Sequence, residues 1–146
     1  MLTFPDGRIV TQSMAIARYA AKLANLYPSD PEQALFVDEL IDTSTDVGAG
    51  APQNADPEVK KKLREEYAAG KMNTYFTYLS EKLVATEGPY FFGALTLADI
   101  VVYGLVKSVR SGNLDYIPTD YDAKWPIFQS FIDNLEQNPV FAPYKI

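Results

Sequence analysis

The run Gly93-Ala94-Leu95-Thr96-Leu97-Ala98-Asp99-Ile100-Val101-Val102-Tyr103-Gly104-Leu105-Val106 constrains this chain more than any other. From Leu97 to Val106 it is almost wholly apolar, so as a helix it leaves no polar stripe for water. Such a helix belongs inside a core. It is too short to cross a bilayer, which takes roughly 20 apolar residues. Its start carries a capping box. Thr96 is placed to accept from the Asp99 N–H, and the Asp99 carboxylate to reach back to the Thr96 N–H. Leu95 and Ile100 stand where a hydrophobic staple would fix the entry angle. The competing role for Asp99 is a catalytic carboxylate, but the cap accounts for its spacing.

Other segments are laid out around that helix. Leu2–Phe4 and Ile9–Thr11 are β-prone, with turn chemistry at Pro5-Asp6-Gly7, so they form a hairpin. Two strands alone are marginal in water, and this pair resembles the edge of a larger sheet. Ile16, Tyr19, Ala20, Leu23 and Leu26 then repeat at helical spacing up to Tyr27-Pro28. Asp30-Pro31 starts a second helix with Phe36, Leu40, Thr43 and Val47 on one face. Asp56-Pro57 starts a long third helix, whose later face is Met72, Phe76, Leu79 and Leu83. Its run Lys60-Lys61-Lys62 with Arg64, flanked by Glu58, Glu65 and Glu66, reads as a solvated face. Ser111 to Lys124 is loop. Trp125-Pro126 opens a last helix with Phe128, Phe131, Ile132 and Leu135 inward, and Phe141 and Tyr144 anchor the tail.

Composition narrows the function. The net charge of −6, with no basic stripe, speaks against nucleic acid and anionic membrane as partners. There is no Cys and no His. That removes a thiol nucleophile, an imidazole base and the ligands of an ordinary zinc site. The N-terminus has no basic and apolar leader pattern, so a soluble cytoplasmic protein is expected, with no membrane insertion.

Two places could hold chemistry. Ser13 stands where a strand gives way to a helix, which suits an anion because free N–H groups and the dipole both favour one; a plain N-cap is the other reading. Asp38, Asp42 and Asp46 form a ridge at i, i+4 and i+8. At 1.5 Å rise per residue its ends lie about 12 Å apart, too far for one metal ion. A solvated face, or one carboxylate meeting a cationic group of a ligand or partner, remains. The aromatic residues at helical spacing read as core, with a cofactor pocket as the rival.

These pieces resemble the cytosolic glutathione transferases, nearest the sigma, alpha and pi groups. The stretch from Leu2 to Tyr19, with Asp6-Gly7, a strand and Gln12-Ser13-Met14-Ala15-Ile16-Ala17-Arg18-Tyr19, is similar to the end of that family's thioredoxin-like domain. Gly93-x-Leu95-Thr96-Leu97-Ala98-Asp99 is similar to the cap of its buried helix, and Trp125-Pro126 and Asn138-Pro139-Val140-Phe141 to its last helix and tail. The resemblance implies a mostly α fold: residues 1–27 finish the thioredoxin-like domain, and residues 28–146 form the all-helical C-terminal domain. It implies transfer of the glutathione thiolate to a small electrophile, as in detoxification, with glutathione as co-substrate and no metal. Gln12 and Ser13 would hold the γ-glutamyl carboxylate, and Asp42 the γ-glutamyl ammonium in a neighbouring subunit. Arg18 would lie near the interface of a homodimer or hetero-complex, and the electrophile would rest against the helical domain. The family's catalytic tyrosine or serine and its cis-proline belong to a segment that would precede Met1, so no catalytic residue is assigned here. The alternative is a non-catalytic relative acting as a structural or assembly subunit.

Overall fold

Residues 1–86 and 88–141 are described in the computed structural model of the chain. Strands β1 (Leu2–Thr3) and β2 (Ile9–Val10) pair antiparallel, Leu2 opposite Val10 and Thr3 opposite Ile9. Gly7 supplies the positive φ of 85° that their turn requires. Six α-helices follow: α1 (Ser13–Leu23), α2 (Pro31–Ala49), α3 (Pro57–Ala69), α4 (Lys71–Ala85), α5 (Leu97–Arg110) and α6 (Ile127–Gln137). A 3₁₀ turn, Tyr121–Lys124, interrupts the expected loop before α6.

The helix starts behave as the sequence dictates. Asp30 accepts from the Gln33 N–H at 2.9 Å with Pro31 at the first position of α2. Asp56 does the same for α3, accepting from the Glu58 and Val59 N–H groups. The chain enters α5 through a backbone bond from the Leu97 N–H to the Leu26 carbonyl, 2.8 Å long.

Four expectations need correction. The long third helix is two helices, broken at Gly70, whose φ of −104° and ψ of −102° leave the helical region. The break re-aims the apolar face, so Tyr67 and Ala68 on α3 and Met72, Phe76, Leu79 and Leu83 on α4 all reach one core. Arg64 is not on a solvated face: its side chain is 2% exposed and its Nε–H donates to the Pro52 carbonyl at 2.6 Å. It shares the inward stripe with Tyr67 and Ala68, and a carbonyl near the start of the α2–α3 loop, with the Asp115 carboxylate 3.5 Å from Nη2, meets its charge. On α2 the inward face is Val37, Leu40, Ile41, Ser44 and Val47, while Phe36 is turned to the rim. On α1 it is Ala21 with Met14 and Ala17 packed beside it, and Tyr19 and Leu23 are exposed.

Helix α5 is the centre of the core and packs chiefly on α2. It buries Leu97, Ala98, Asp99, Val102, Tyr103, Leu105, Val106 and Val109. It is not buried all round, however. Ile100 and Val101 are half-buried, Gly104 is exposed, and Lys107 and Ser108 continue that stripe outward. Phe128, Phe131, Ile132 and Leu135 of α6 are buried as expected, and Phe141 stacks edge-on against Tyr103 with ring centroids 4.8 Å apart. Tyr144, the second expected anchor, lies outside the described residues.

Candidate functional site

The start of α1 is open. Gln12 occupies the N-cap position with extended backbone and makes no side-chain cap, so the cap reading of Ser13 does not hold. Ser13 is instead the first helical residue, exposed, with Gln12 exposed before it. The Gln12 carbonyl accepts from the Ile16 N–H at 3.0 Å. The N–H groups of Ser13, Met14 and Ala15 have no partner among the described residues, and no acidic side chain stands in the first turn. An uncapped helix start with a free hydroxyl favours an anion both by hydrogen bonding and by the dipole.

Five residues further along α1, Arg18 grips α2. Its Nε–H donates to Asp38 Oδ1 at 2.6 Å and its Nη2–H to Asp42 Oδ1 at 2.8 Å. The Tyr27 hydroxyl donates to the other Asp38 oxygen at 2.7 Å. Burial by itself would lower the Arg18 pKa. The hydrogen bonds and charges of Asp38 and Asp42 outweigh it, and the guanidinium is held more firmly protonated than usual. Tyr27 moves upward, first from burial and then from its bond to, and the charge of, Asp38.

The aspartate ridge is therefore not a plain solvated face. Asp38 is fully engaged. Asp46 meets the Tyr75 hydroxyl at 3.3 Å. Asp42, with its side chain 71% exposed, gives one oxygen to Arg18 and keeps the other toward solvent. No hydrogen bond joins Gln12 or Ser13 directly to Asp42 among the described residues; the connection runs through Arg18. The clamping role of Arg18 was missed in the sequence, although its signal was there: one arginine facing two acids spaced i, i+4 on the next helix. Among the described residues no group of three or more His, Cys, Asp or Glu side chains gathers where a metal ion could sit.

At the cap of α5 the box closes, and its better-formed half is that of Asp99. Oδ2 accepts from the Thr96 N–H at 2.7 Å and from the Thr96 hydroxyl at 2.8 Å. Oδ1 accepts from the Phe91 N–H at 2.9 Å, which ties the segment before the helix to its start. Asp99 is fully buried, and burial pushes its pKa up against the pull of these bonds. With both oxygens held by internal donors in a buried place, it serves structure.

With this geometry in view, comparison with known proteins is decisive. The family model described as glutathione S-transferase, C-terminal domain, matches residues 41–145. The chain belongs to the glutathione S-transferase family. It is 29% identical over 142 residues to glutathione S-transferase 2 of Manduca sexta, covering 95% of this chain and 68% of that protein. It is 31% identical over 135 residues to glutathione S-transferase 3 of Caenorhabditis elegans, covering 81% of this chain and 65% of that one. Prostaglandin synthase D of Nilaparvata lugens superposes with a TM-score of 0.79 at 26% identity, over 95% of this chain and 69% of the other. A Legionella pneumophila glutathione S-transferase, at 22% identity and a TM-score of 0.70 over 94% of this chain and 76% of the other, shares the fold. The chain thus spans about two thirds of the length of these relatives. Its mostly helical body has the fold of the family's C-terminal helical domain, with a two-stranded hairpin ahead of it. Among the described residues no helix of this glutathione S-transferase chain is long and apolar enough to cross a membrane.

Proposed function

We propose that this chain is the glutathione-positioning and helical part of a glutathione transferase subunit. In this reading residues 1–27 belong to the thioredoxin-like domain and residues 28–146 to the helical one. The carboxylate of the γ-glutamyl group sits at the start of α1, held by the Ser13 hydroxyl, the free first-turn N–H groups and Gln12. The ammonium of the same group, on glutathione bound in a neighbouring subunit, meets the free oxygen of Asp42. Arg18 fixes Asp42 in place and keeps the α1–α2 pair rigid, so the two ends of the grip are pre-oriented. The electrophile rests against the helical body. The observation that carries the reading is the uncapped, acid-free start of α1, an anion site with no anion of its own chain to fill it.

The chain supplies positioning rather than thiol activation. Activation needs a donor, base or cation at the sulfur. Each tyrosine whose pKa departs from the ordinary value moves upward: burial pushes Tyr67 and Tyr121 to about 12 and raises Tyr27, Tyr78 and Tyr103 as well. None of these is poised as a phenolate. The deciding experiment is calorimetric titration of the chain with glutathione, beside Ser13→Ala and a glutathione analogue whose γ-glutamyl carboxylate is amidated. Weak saturable binding, lost with either change, supports the assignment. Binding indifferent to both overturns it. A structural or assembly subunit is the second reading, favoured by the exposed Tyr19 and Leu23 of α1, and it predicts no glutathione binding at all.

A further inference from the structure

Arg64 ties two loops that are far apart in the sequence to one point on α3. Its side chain is buried, and its Nε–H donates at 2.6 Å to the Pro52 carbonyl in the loop between α2 and α3. Nη2 lies 3.5 Å from Asp115 Oδ1 in the strap 111–120, which leads from the end of α5 toward the 3₁₀ turn. Nη1 is buried with no acceptor among the described residues. For a buried cation with five N–H groups to satisfy, that is thin support: one carbonyl at bonding distance and one carboxylate just beyond it.

The strap has the build of a hinged segment. Gly112 and Tyr116, on either side of Asp115, both have left-handed backbone, with φ of 78° and 63°. Glycine takes up that region freely, whereas tyrosine is strained there. Ile117, just beyond, is buried and fixes the far end. Apart from Leu114 at the edge of the core, the piece between is held by Asp115. Its half-exposed carboxylate takes Lys60 Nζ at 2.5 Å on one oxygen and Arg64 on the other. The strap also walls two cavities. Asn113 borders one of about 480 Å³ beside Lys107 and Ser108. Tyr116 and Pro118 border another, of about 500 Å³, against Glu65 and Ala68 of α3.

We propose that Arg64 is a latch that makes the strap and the α2–α3 loop open and close as one unit, and so sets the width of both cavities. When Asp115 leaves, a charge is stranded in a buried place, which is costly. The guanidinium relieves this by swinging out through the gap the strap has vacated, and it drops the Pro52 carbonyl as it goes. By linkage, freeing the α2–α3 loop loosens the strap in the same measure. Lys60 is not part of the coupling. It reinforces Asp115 from the solvent side, and its loss leaves Arg64 and Asp115 paired.

The test is hydrogen exchange read by mass spectrometry on the whole chain at neutral pH. It follows peptides of residues 50–56 and 112–117, with one from α6 as reference. Asp115→Asn raises exchange about ten-fold or more in both loops and leaves α6 as it was. Lys60→Met leaves residues 50–56 at the wild-type rate. Arg64→Met speeds both loops, and adding Asp115→Asn to it changes nothing further. Should Arg64→Met melt too early to measure, the contrast between Asp115→Asn and Lys60→Met decides. Faster exchange in the strap alone, an equal response of residues 50–56 to Lys60→Met, or additive effects in the double variant overturns the proposal. A rise that includes α6 overturns it too, because it marks general unfolding rather than a latch.

Discussion

Arg18 and Asp38 are joined by a 2.6 Å bond from Nε to Oδ1, across the gap between α1 and α2. The bond belongs to a network of four residues, since Arg18 also reaches Asp42 and Tyr27 completes Asp38. The side chains are 25% and 35% exposed, so water screens part of the attraction. Arg18→Gln should cost about 1 kcal/mol, at the upper end of partly exposed pairs. Tyrosine titration supplies an independent readout. Asp38→Asn removes a charge that holds the Tyr27 proton on, and Tyr27 should titrate at lower pH; Arg18→Gln removes a charge that opposes Asp38, and Tyr27 should titrate higher. Identical Tyr27 behaviour in both variants would refute the clamp.

Asp99→Ala strips the cap of α5 and leaves the Phe91 and Thr96 N–H groups without acceptors in a buried place. The lost cap at Thr96 costs about 1 kcal/mol, and the buried Phe91 N–H left without an acceptor about 1–3 kcal/mol more. The expected loss is about 2–4 kcal/mol by chemical denaturation. Asp99→Asn keeps one acceptor and should recover part of it. An unchanged denaturant midpoint in Asp99→Ala would refute this account.

Asp115 ties the loop after α5 to α3, with Lys60 Nζ on one oxygen and Arg64 Nη2 3.5 Å from the other. The Lys60 hydrogen bond, ahead of the charges of Lys60 and Arg64, holds its pKa below the ordinary 3.8. A depressed carboxyl pKa gives stability that is present above the unfolded value and lost as pH falls through the folded one. Asp115→Asn should therefore be less stable than the wild type at neutral pH, with the gap closing below about pH 4. A gap of constant size from pH 7 to pH 2.5 would assign the effect to packing instead.

Much of the fold was legible because its signals are local. Thr96 and Asp99 announce α5, Asp30-Pro31 and Asp56-Pro57 announce α2 and α3, and Phe128 to Leu135 repeat at the right period for α6. The misses share a cause: they depend on what lies across the chain. Gly70 reads as a tolerated helix glycine until the core demands a change of direction. Arg64 reads as solvent-facing until the Pro52 carbonyl arrives, and Phe36 reads as core until Val37 and Ile41 take its place. At the candidate site, Ser13 and Asp42 were visible as residue types in context. The open cap was not, because a serine at a strand-to-helix junction reads equally as a cap, and the Arg18 clamp was missed because it joins separate segments.

The surface of α1 bears on assembly. Leu23 is 70% exposed and Tyr19 43%, while the hairpin has no strand on either outer edge among the described residues. Unpaired strand edges and clustered apolar side chains favour association. The chain is expected to sediment as a dimer at micromolar concentration, and Leu23→Glu to shift it toward monomer. A wild-type chain that stays monomeric across that range would count against the surface being an interface.

The last expectation concerns activity. The 146-residue chain alone should not conjugate glutathione to a generic aromatic electrophile above the uncatalysed rate. Its inventory holds no Cys and no His, and the tyrosines whose pKa departs from the ordinary value all hold their protons more tightly. Glutathione itself should bind weakly, because in the proposed grip Ser13, Gln12 and Asp42 hold only its γ-glutamyl end. A charged hydrogen bond is worth about 1.5–3 kcal/mol, so a grip confined to one end of the tripeptide leaves the thiol poorly placed. Fusing the first third of a relative ahead of Met1 should restore turnover, and Ser13→Ala in that fusion should raise KM more than it lowers kcat. Robust turnover by the chain alone, abolished by Ser13→Ala, would show that a residue within it activates the thiol after all.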